Sequence, residues 1–292
     1  MINYEILVKK LLVQQFPQYF GLSIKPVEIQ GHDNRTFRLG DDMLIRLPSS
    51  EIYAAKVLKE QKWLPFLAKY ISLKIPRPIA IGKPCNIYPW HFSIYEFIDG
   101  NSANELEIDD LALEKIAFDL ANFLKELQAI NIDDAPAPGR HNFFRGGNLK
   151  IYEEEARLAI SNLKDFIDVK SATSLLNKAL ESSWNKNPIW IHGDLAAGNI
   201  IIKNQKLVGI IDFSGIAVGD PACDLTIAWT LFKNESRKIF HQNLDLDDNT
   251  WNRARGWALW KAAIELVSGL DNKDFTKVKE WKKIIDEIQL IS

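Results

Sequence analysis

The sequence predicts an α+β protein with two lobes, a small antiparallel β-sheet lobe and a larger, mainly helical lobe. Two observations indicate this fold class. Up to about residue 98, short β-prone segments alternate with turns rich in Gly, Asp and Asn. Beyond residue 98, the apolar residues mostly follow the helical period. We therefore expect an N-terminal domain at residues 1–98 and a C-terminal domain at residues 99–292.

The N-terminal domain is expected to hold a five-stranded antiparallel sheet with a helix packed on it. The opening segment MINYEILVKKLLVQQF has near-helical apolar spacing and predicts an amphipathic helix rather than a signal peptide. Turns at GHDN and GDD suit an antiparallel meander. The expected strands are VEIQ, TFRLG, MLIRLP, PIAIG and HFSIYEFI, with a helix in EIYAAKVLKEQKWLPFLAKYI.

The C-terminal domain is expected to consist of long helices around one hairpin. Helical periodicity marks DLALEKIAFDLANFLKELQAI, two segments between residues 150 and 185, and the Trp-rich DNTWNRARGWALWKAAIELV. The apolar NIIIKNQKLVGII predicts the hairpin. The loop APAPGRHNFFRGGNLK is unusually long, and loops of this kind often carry function.

Composition restricts the partners and the compartment. The chain has 292 residues, 47% hydrophobic residues and a net charge of -2, with no basic bias of the kind that nucleic-acid binding requires. It contains no apolar run long enough to span a membrane. Cys85 and Cys223 lie in unrelated contexts, which fits a reducing cytoplasm. We expect a cytoplasmic monomer or weak dimer without a nucleic-acid or membrane partner.

The segment WIHGDLAAGN carries the strongest chemical signal. It orders His192, Asp194 and Asn199 as His-x-Asp, four residues, Asn, and VGIIDFSG then places Asp212 after an apolar strand. Phosphoryl transfer needs these residue types, because a carboxylate must orient the attacking hydroxyl and oxygen ligands must hold Mg²⁺. Asp194 is therefore the candidate catalytic base, and Asn199 and Asp212 are the candidate metal ligands.

Three neighbouring ionisable residues are given structural interpretations. His192 is expected to hold the loop by hydrogen bonds. Asp220 and Asp224 in GDPACDL precede an apolar segment, where acids suit the first turn of a helix.

The motifs HGDLAAGN, IIDFSG and GDPACDL resemble the aminoglycoside phosphotransferase family of protein-kinase-like small-molecule kinases. The resemblance covers nearly the whole chain. It implies a bilobal protein-kinase-like fold and a Mg²⁺-dependent transfer of the γ-phosphoryl group of ATP or GTP to a hydroxyl of a small molecule. It is more specific for fold and reaction than for the acceptor, for which an aminoglycoside-type antibiotic is the leading expectation.

The same resemblance implies how the nucleotide is held. The family has a strand Lys that contacts phosphates and pairs with a helix Glu; here MLIRLP offers Arg46 and KEQKWLP offers Glu60. Arg binds phosphate bidentately, so the replacement is chemically possible although the geometry differs.

Two further segments are implied to bind nucleotide. In QGHDNRT, the backbone amides of Asp33 and Asn34, or the Arg35 side chain, are candidates to cover the phosphates, and a plain β-turn explains the same residues. In SIYEFIDG, the Glu96 carbonyl and the Ile98 amide are expected to bind adenine, with Tyr95 as gatekeeper.

The acceptor site is less determined. Acidic residues could bind a polycation, although charge runs usually mark solvated faces. Arg140 and Arg145 in the long loop instead suit an anion, and the Trp-rich helix is expected to be core. The candidate acids are Asp99, Glu105, Glu107, Asp109, Asp110 and DLDD at 245–248.

Alternatives remain open. Within the same reaction class they are a macrolide kinase and a housekeeping sugar or amino-alcohol kinase. A catalytically inactive nucleotide-binding pseudokinase is favoured by the missing strand Lys and opposed by the intact Asp194, Asn199 and Asp212. A His/Asp metal hydrolase fits poorly, because one His with separated acids makes a poor zinc set.

Overall fold

The structure, a computed structural model, describes residues 3–28, 30–31 and 33–290. The chain forms two compact units. The first comprises Met1–Asn101 and Val208–Ser214, and the second comprises Ser102–Leu207 and Gly215–Ser292. The first is built on an antiparallel sheet and the second is mainly helical, so the predicted α+β class is confirmed.

The first unit contains a five-stranded sheet in the order β1-β2-β3-β5-β4. All four strand pairings are antiparallel. The strands are β1 (Ile24–Pro26), β2 (Asn34–Leu39), β3 (Met43–Pro48), β4 (Pro78–Gly82) and β5 (Phe92–Glu96); the helices are α1 (Tyr4–Gln15) and α2 (Glu51–Leu67). Strands β1, β2 and β3 form an antiparallel meander, and β5 rather than β4 lies beside β3.

The predicted strand VEIQ is wrong for its described residues, since Val27, Glu28 and Gln30 are not in a strand. The first strand lies earlier, at Ile24–Pro26. The Gln30 side chain bonds the backbone of β2: its Oε1 accepts the Thr36 N–H at 2.9 Å and its Nε2 donates to the Thr36 carbonyl at 2.8 Å. The Thr36 carbonyl also accepts the Val27 N–H at 3.3 Å, so backbone pairing with β2 reaches Val27, just beyond β1. Ile29, within the predicted strand, and His32, within the predicted GHDN turn, lie outside the described residues.

The core of the first unit lies between α1 and the sheet. Val8, Leu11 and Leu12 of α1 are buried against inward-facing strand residues such as Ile45 and Phe92. The 3.6-residue spacing of the α1 residues and the alternation along the strands bring these apolar faces together. The helix begins at an Asn3 cap, whose side chain accepts the Ile6 N–H at 3.1 Å.

Residues 208–214 join the first unit although they are distant from it in the chain. The first three residues of this segment are the end of strand β9 (Lys206–Ile210). Within the unit, Gly209 forms a parallel bridge with Lys74, and the Ile210 N–H donates to the Lys74 carbonyl at 3.0 Å. The division of the chain at residue 98 placed this segment, with Asp212, in the helical domain.

The second unit contains most of the helices. A two-stranded antiparallel sheet pairs β7 with β10. Among the described residues, none of the helices is both long and apolar enough to traverse a lipid bilayer. The elements are α3 (Asp110–Gln128), α4 (Glu153–Asn162), α5 (Val169–Leu180), α6 (Ile227–Thr230), α7 (Asn234–Gln242), α8 (Asp248–Asp271), α9 (Phe275–Leu290), β6 (Asn101–Ser102), β7 (Ile189–Ile191), β8 (Ile200–Lys203) and β10 (Ala217–Gly219).

Candidate active site

In the first unit, one guanidinium lies between two carboxylates. Nη1 of Arg46, on β3, is 3.6 Å from Oε1 of Glu60, on α2, and Nη2 is 3.5 Å from Oδ1 of Asp212. The Tyr95 hydroxyl, on β5, donates to Oε2 of Glu60 at 2.5 Å. We call these four residues the Arg46 cluster; a helix, two strands and the segment after β9 supply one member each.

Burial and charge act in opposite directions on the Arg46 cluster. Burial lowers the pKa of Arg46, but the carboxylates of Glu60 and Asp212 outweigh it, so the pKa is raised and the guanidinium stays charged. Burial raises the pKa of Glu60, and Arg46 opposes that rise. Burial, and then the charge of Glu60, raise the pKa of Tyr95, which therefore remains a hydrogen-bond donor. The cluster presents a fixed positive charge beside a partly exposed carboxylate, Asp212.

Asp212 has an unusual backbone conformation. Its φ is 62°, in the left-handed region that non-glycine residues rarely occupy. Its Oδ1 accepts the Ser214 N–H at 3.4 Å. Conformations of this kind cost about 1–3 kcal/mol and tend to occur at functional sites.

Asp33 and Asn34 lie where the chain enters β2. Oδ2 of Asp33 is 2.7 Å from Nζ of Lys56 on α2, and the Asp33 carbonyl accepts the Ser49 N–H at 2.8 Å. Nη1 of Arg35 donates to the Gly31 carbonyl at 3.2 Å, so this side chain takes part in the turn itself.

Glu96 and Ile98 lie at the end of β5. The Glu96 N–H donates to the Arg77 carbonyl at 2.9 Å, and the neighbouring Phe97 N–H donates to Asp42 at 2.7 Å. The Glu96 side chain is exposed and the Ile98 side chain is buried.

In the second unit, the segment 192–199, which we call the HGD loop, presents Asp194 to solvent. The Asp194 N–H donates to Nδ1 of the buried His192 at 3.3 Å, which agrees with the structural role expected for that His. Nδ2 of Asn199 donates to the Asp194 carbonyl at 2.8 Å. The Asn199 amide is thereby oriented by the residue proposed as the base.

Asp224 anchors the backbone of the HGD loop. This fully buried carboxylate accepts the His192 N–H at 2.6 Å and the Gly193 N–H at 2.8 Å. Burial raises its pKa, and His192 and the two backbone N–H groups oppose that rise. Asp224 was expected to serve a helix start, whereas its carboxylate bonds the backbone 32 residues earlier and fixes the loop that bears Asp194.

Gly193 and Gly215 allow the loop backbone to pack closely. Gly193 has a φ of 82°, and a Cβ there would lie 2.3 Å from the Gly215 carbonyl oxygen. That carbonyl accepts Nδ2 of the buried Asn142 at 3.1 Å. The long Pro/Gly loop thus contributes Asn142 to the support of the HGD loop.

Asp220 begins the 3₁₀ segment Pro221–Thr226, as expected for a cap, by accepting the Ala222 N–H at 3.1 Å. It also forms a buried ion pair, with 2.6 Å between its Oδ2 and Nε of Arg253 on α8. Sequence spacing could not reveal that partner.

Several residues named for the acceptor site have structural contacts. Asp109 caps α3 and Asp110 pairs with Lys233 at 2.9 Å. The Arg145 guanidinium lies 5.1 Å from the ring centroid of Trp257 and 4.8 Å from that of Trp260. The Trp side chains are buried, in agreement with their expected place in the core. Asp99, Glu107 and Asp245 are exposed.

Comparison with known proteins decides the family. Residues 23–257 match the model of the phosphotransferase enzyme family, APH. The chain belongs to the phosphotransferase enzyme family. The resemblance seen in HGDLAAGN, IIDFSG and GDPACDL is thereby confirmed.

Curated relatives match over shorter stretches. A probable aminoglycoside 3'-phosphotransferase of Lactococcus lactis subsp. lactis (strain IL1403) is 32% identical over 124 residues, which is 40% of this chain and 45% of the relative. The aminoglycoside 3'-phosphotransferase of Salmonella typhimurium is 25% identical over 151 residues, 48% of this chain and 53% of the relative. The chain therefore spans about half the length of the curated relatives it matches.

Solved structures share the fold over nearly the full length. The GDP complex of wild-type aminoglycoside 2'-phosphotransferase-IIIa has a TM-score of 0.74 at 22% identity, covering 99% of each chain. Macrolide 2'-phosphotransferase type I has a TM-score of 0.64 at 17% identity, covering 97% of each chain. These likenesses confirm the kinase-like fold predicted from the sequence.

Proposed function

We propose that the chain is a small-molecule O-phosphotransferase that moves the γ-phosphoryl group of ATP or GTP to a hydroxyl group. The observation that carries the proposal is the position of Arg46, whose guanidinium lies 3.6 Å from Glu60 and 3.5 Å from Asp212. A fixed cation beside a partly exposed carboxylate suits nucleotide phosphates that arrive with a divalent ion. The GDP complex of a structural neighbour supports a nucleotide co-substrate.

In the proposed mechanism Asp194 orients the acceptor hydroxyl and accepts its proton. Its exposed carboxylate stands on a loop whose backbone is fixed by Asp224. Arg46, held in orientation by Glu60, binds phosphate oxygens through its planar guanidinium. Backbone groups of Asp33 and Asn34 line the phosphates. The Glu96 carbonyl and the Ile98 amide bind the base.

Asn199 and Asp212 fit the role of Mg²⁺ ligands. They offer one amide oxygen and one carboxylate, and both are hard oxygen donors. Within residues 3–28, 30–31 and 33–290, no group of three or more His, Cys, Asp or Glu residues is arranged to hold a metal ion. Mg²⁺ commonly takes only one or two carboxylates and completes its shell with water and substrate phosphates. When bound, the ion would neutralise the charge that develops on the transferred phosphoryl group.

We propose an aminoglycoside-type antibiotic as the acceptor. Two curated relatives are named aminoglycoside 3'-phosphotransferases, and one solved neighbour was determined with GDP and kanamycin. A macrolide is the second candidate, because a macrolide 2'-phosphotransferase has the same fold. Since the co-substrate is a nucleoside triphosphate, we also propose a cytoplasmic location, with the enzyme acting as a monomer or weak dimer.

The test is phosphate transfer to a panel of acceptors. Purified protein would be incubated with Mg²⁺, ATP or GTP, and kanamycin, a macrolide or a common sugar or amino alcohol, and the phosphorylated product identified by mass spectrometry. We expect an aminoglycoside product that Asp194→Asn reduces by about 100-fold or more, in line with the loss of an acid–base group. Asp165→Asn, which changes an exposed acid of the second unit that is not a candidate for acceptor binding, serves as the matched control.

The outcomes separate the alternatives. A product formed only from a macrolide or a metabolite would retain the mechanism and replace the acceptor. Nucleotide binding without transfer to any acceptor would favour the pseudokinase. Transfer unaffected by Asp194→Asn would overturn the proposed role of Asp194.

A further inference from the structure

Helix α2 carries two buried charged side chains one turn apart. Lys56 is 8% exposed and Glu60 is 4% exposed. Residues four apart lie on the same helix face, so both point in similar directions from α2. Glu60 contacts Arg46, and Lys56 contacts Asp33. One face of α2 therefore contacts both Arg46 and Asp33, which are assigned above to phosphate binding.

The contact between Lys56 and Asp33 is short and largely sheltered from water. Nζ of Lys56 is 2.7 Å from Oδ2 of Asp33, and the two side chains are 9% and 28% exposed. Lys56 Nζ also lies 4.9 Å from the ring centroid of Tyr53, one turn earlier on α2. Burial of an ammonium is costly unless a partner is held in good geometry, so removing the partner has a larger effect than at the surface.

The contact with Lys56 also restricts the backbone at Asp33, where the chain enters β2. It immediately precedes β2, which begins at Asn34. Its carbonyl accepts the Ser49 N–H at 2.8 Å, just beyond the end of β3. The Asp33 side chain and main chain are thus fixed from two directions, by α2 and by the β3 end.

We propose that Lys56 is a positioning residue for the nucleotide phosphates. By holding the Asp33 carboxylate it sets the direction of the Asp33 and Asn34 backbone N–H groups, while Glu60 sets Arg46 from the same helix. Helix α2 thereby fixes the distance between the backbone N–H groups of Asp33 and Asn34 and the guanidinium of Arg46. This inference rests on the proposed function, because it assumes that these groups receive phosphate.

The experiment compares phosphate-bearing and phosphate-free ligands. Calorimetric titration with ATP, ADP and adenosine would be performed on wild type, Lys56→Met and Asp33→Asn. We expect both variants to weaken ATP and ADP binding about tenfold, within the usual range of coupling between sites, and to leave adenosine binding within about twofold. A purely structural role would weaken all three ligands alike.

A rescue variant and a control variant test whether the change in ATP affinity comes from the ion pair between Lys56 and Asp33. The swap Asp33→Lys with Lys56→Asp restores an ion pair and is expected to recover most of the ATP affinity. Lys9→Met removes an exposed ion pair on α1, Lys9 to Glu5 at 2.8 Å, and should leave all three affinities unchanged. Thermal unfolding of each variant shows that the folded protein was titrated, and Asp33→Asn supplies the answer if Lys56→Met does not fold.

Failure of the inference differs from failure of the proposed function. Wild type that binds ATP tightly while Lys56→Met and Asp33→Asn bind it equally well would overturn the role of Lys56 alone. An equal loss of ATP and adenosine affinity would also overturn it. Wild type that binds neither ATP, ADP nor GTP would overturn the proposed function, and the inference with it.

Discussion

The HGD loop depends on a glycine that no other residue can replace without strain. Gly193→Ala would force an L side chain into a φ of 82° and place Cβ 2.3 Å from a backbone oxygen of Gly215. The left-handed conformation costs about 1–2 kcal/mol, and overpacking adds about 1–3 kcal/mol. We therefore expect a loss of roughly 3 kcal/mol in the free energy of unfolding, measured by urea denaturation, together with lower phosphate transfer.

Gly198→Ala is the matched control in the same loop. A Cβ at Gly198 would meet nothing closer than 3.8 Å, which is ordinary contact. Its stability should stay within about 0.5 kcal/mol of wild type, as at other unconstrained sites. Equal destabilisation by the two substitutions would contradict the assigned role of Gly193.

Individual residues of the site differ in how far the sequence could predict them. The HGD motif and Asp212 have local signatures, and the pairing of Arg46 with Glu60 followed from the family resemblance. Asp224 was assigned only to a helix start, because its N–H partners lie 32 and 31 residues earlier. The link from Tyr95 to Glu60 was missed because it depends on how α2 packs on the sheet. A charged pair four residues apart, Lys56 and Glu60, was a usable signal in the predicted α2.

Helix α8 begins at an N-cap, Asp247, that bonds both the helix backbone and a Lys side chain. The Asp247 side chain accepts the Thr250 N–H at 2.8 Å and lies 2.8 Å from Nζ of Lys186. Its hydrogen bonds with Lys186 and Thr250 lower its pKa to about 2. Because the folded pKa is below the ordinary 3.8, the stabilisation is present above pH 3.8 and is lost as the pH falls toward 2.

Asp247→Ala should therefore reduce stability mainly near neutral pH. Loss of a cap costs about 0.5–2 kcal/mol, and we expect about 1 kcal/mol because the side chain is 45% exposed and its ion pair is screened. Thermal unfolding at pH 7 and at pH 2.5 measures the difference, which should shrink at the lower pH. Asp245→Ala, two residues earlier and exposed, is the control; a pH-independent loss for Asp247→Ala would refute the linkage.

Regular elements with strong patterns were predicted well, and irregular ones were not. PIAIG coincides with β4, and the long amphipathic pattern after residue 109 corresponds to α3. At VEIQ, the described residues Val27, Glu28 and Gln30 are not in a strand, and the Gln30 side chain bonds the β2 backbone at Thr36. Propensity cannot detect such competition, since it depends on a polar side chain reaching backbone groups of a later segment.

The roles proposed for the site residues divide between the two units. Arg46 and Asp212 belong to the first unit, and Asp194 and Asn199 belong to the second. We expect Arg46→Met to weaken ATP binding by more than about tenfold, because it removes a charged partner of the phosphates. Asp194→Asn should instead leave the ATP affinity within about twofold and lower kcat.

Steady-state kinetics combined with calorimetric titration distinguish these effects. Lys115→Met, in an exposed ion pair with Asp119 on α3, controls for the loss of a surface charge. An Arg46→Met protein with wild-type ATP affinity, verified as folded by thermal unfolding, would contradict the assignment of Arg46.

Composition and periodicity predicted the fold class, but they could not assign residues 208–214 to the first unit, because sequence patterns divide a chain only into consecutive segments.

The membership of residues 208–214 in the first unit also affects how the chain folds. The bridge from Lys74 to Gly209 and the bond from Ile210 to the Lys74 carbonyl join segments separated by most of the helical unit. Closing so long a loop costs entropy before it yields contacts, and distant pairings of this kind slow folding. During synthesis from the amino terminus, α3, α4 and α5 are translated before Asp212 is available to the first unit. A fragment cut at Asn101 would retain the five-stranded sheet and Arg46 but would lack this carboxylate.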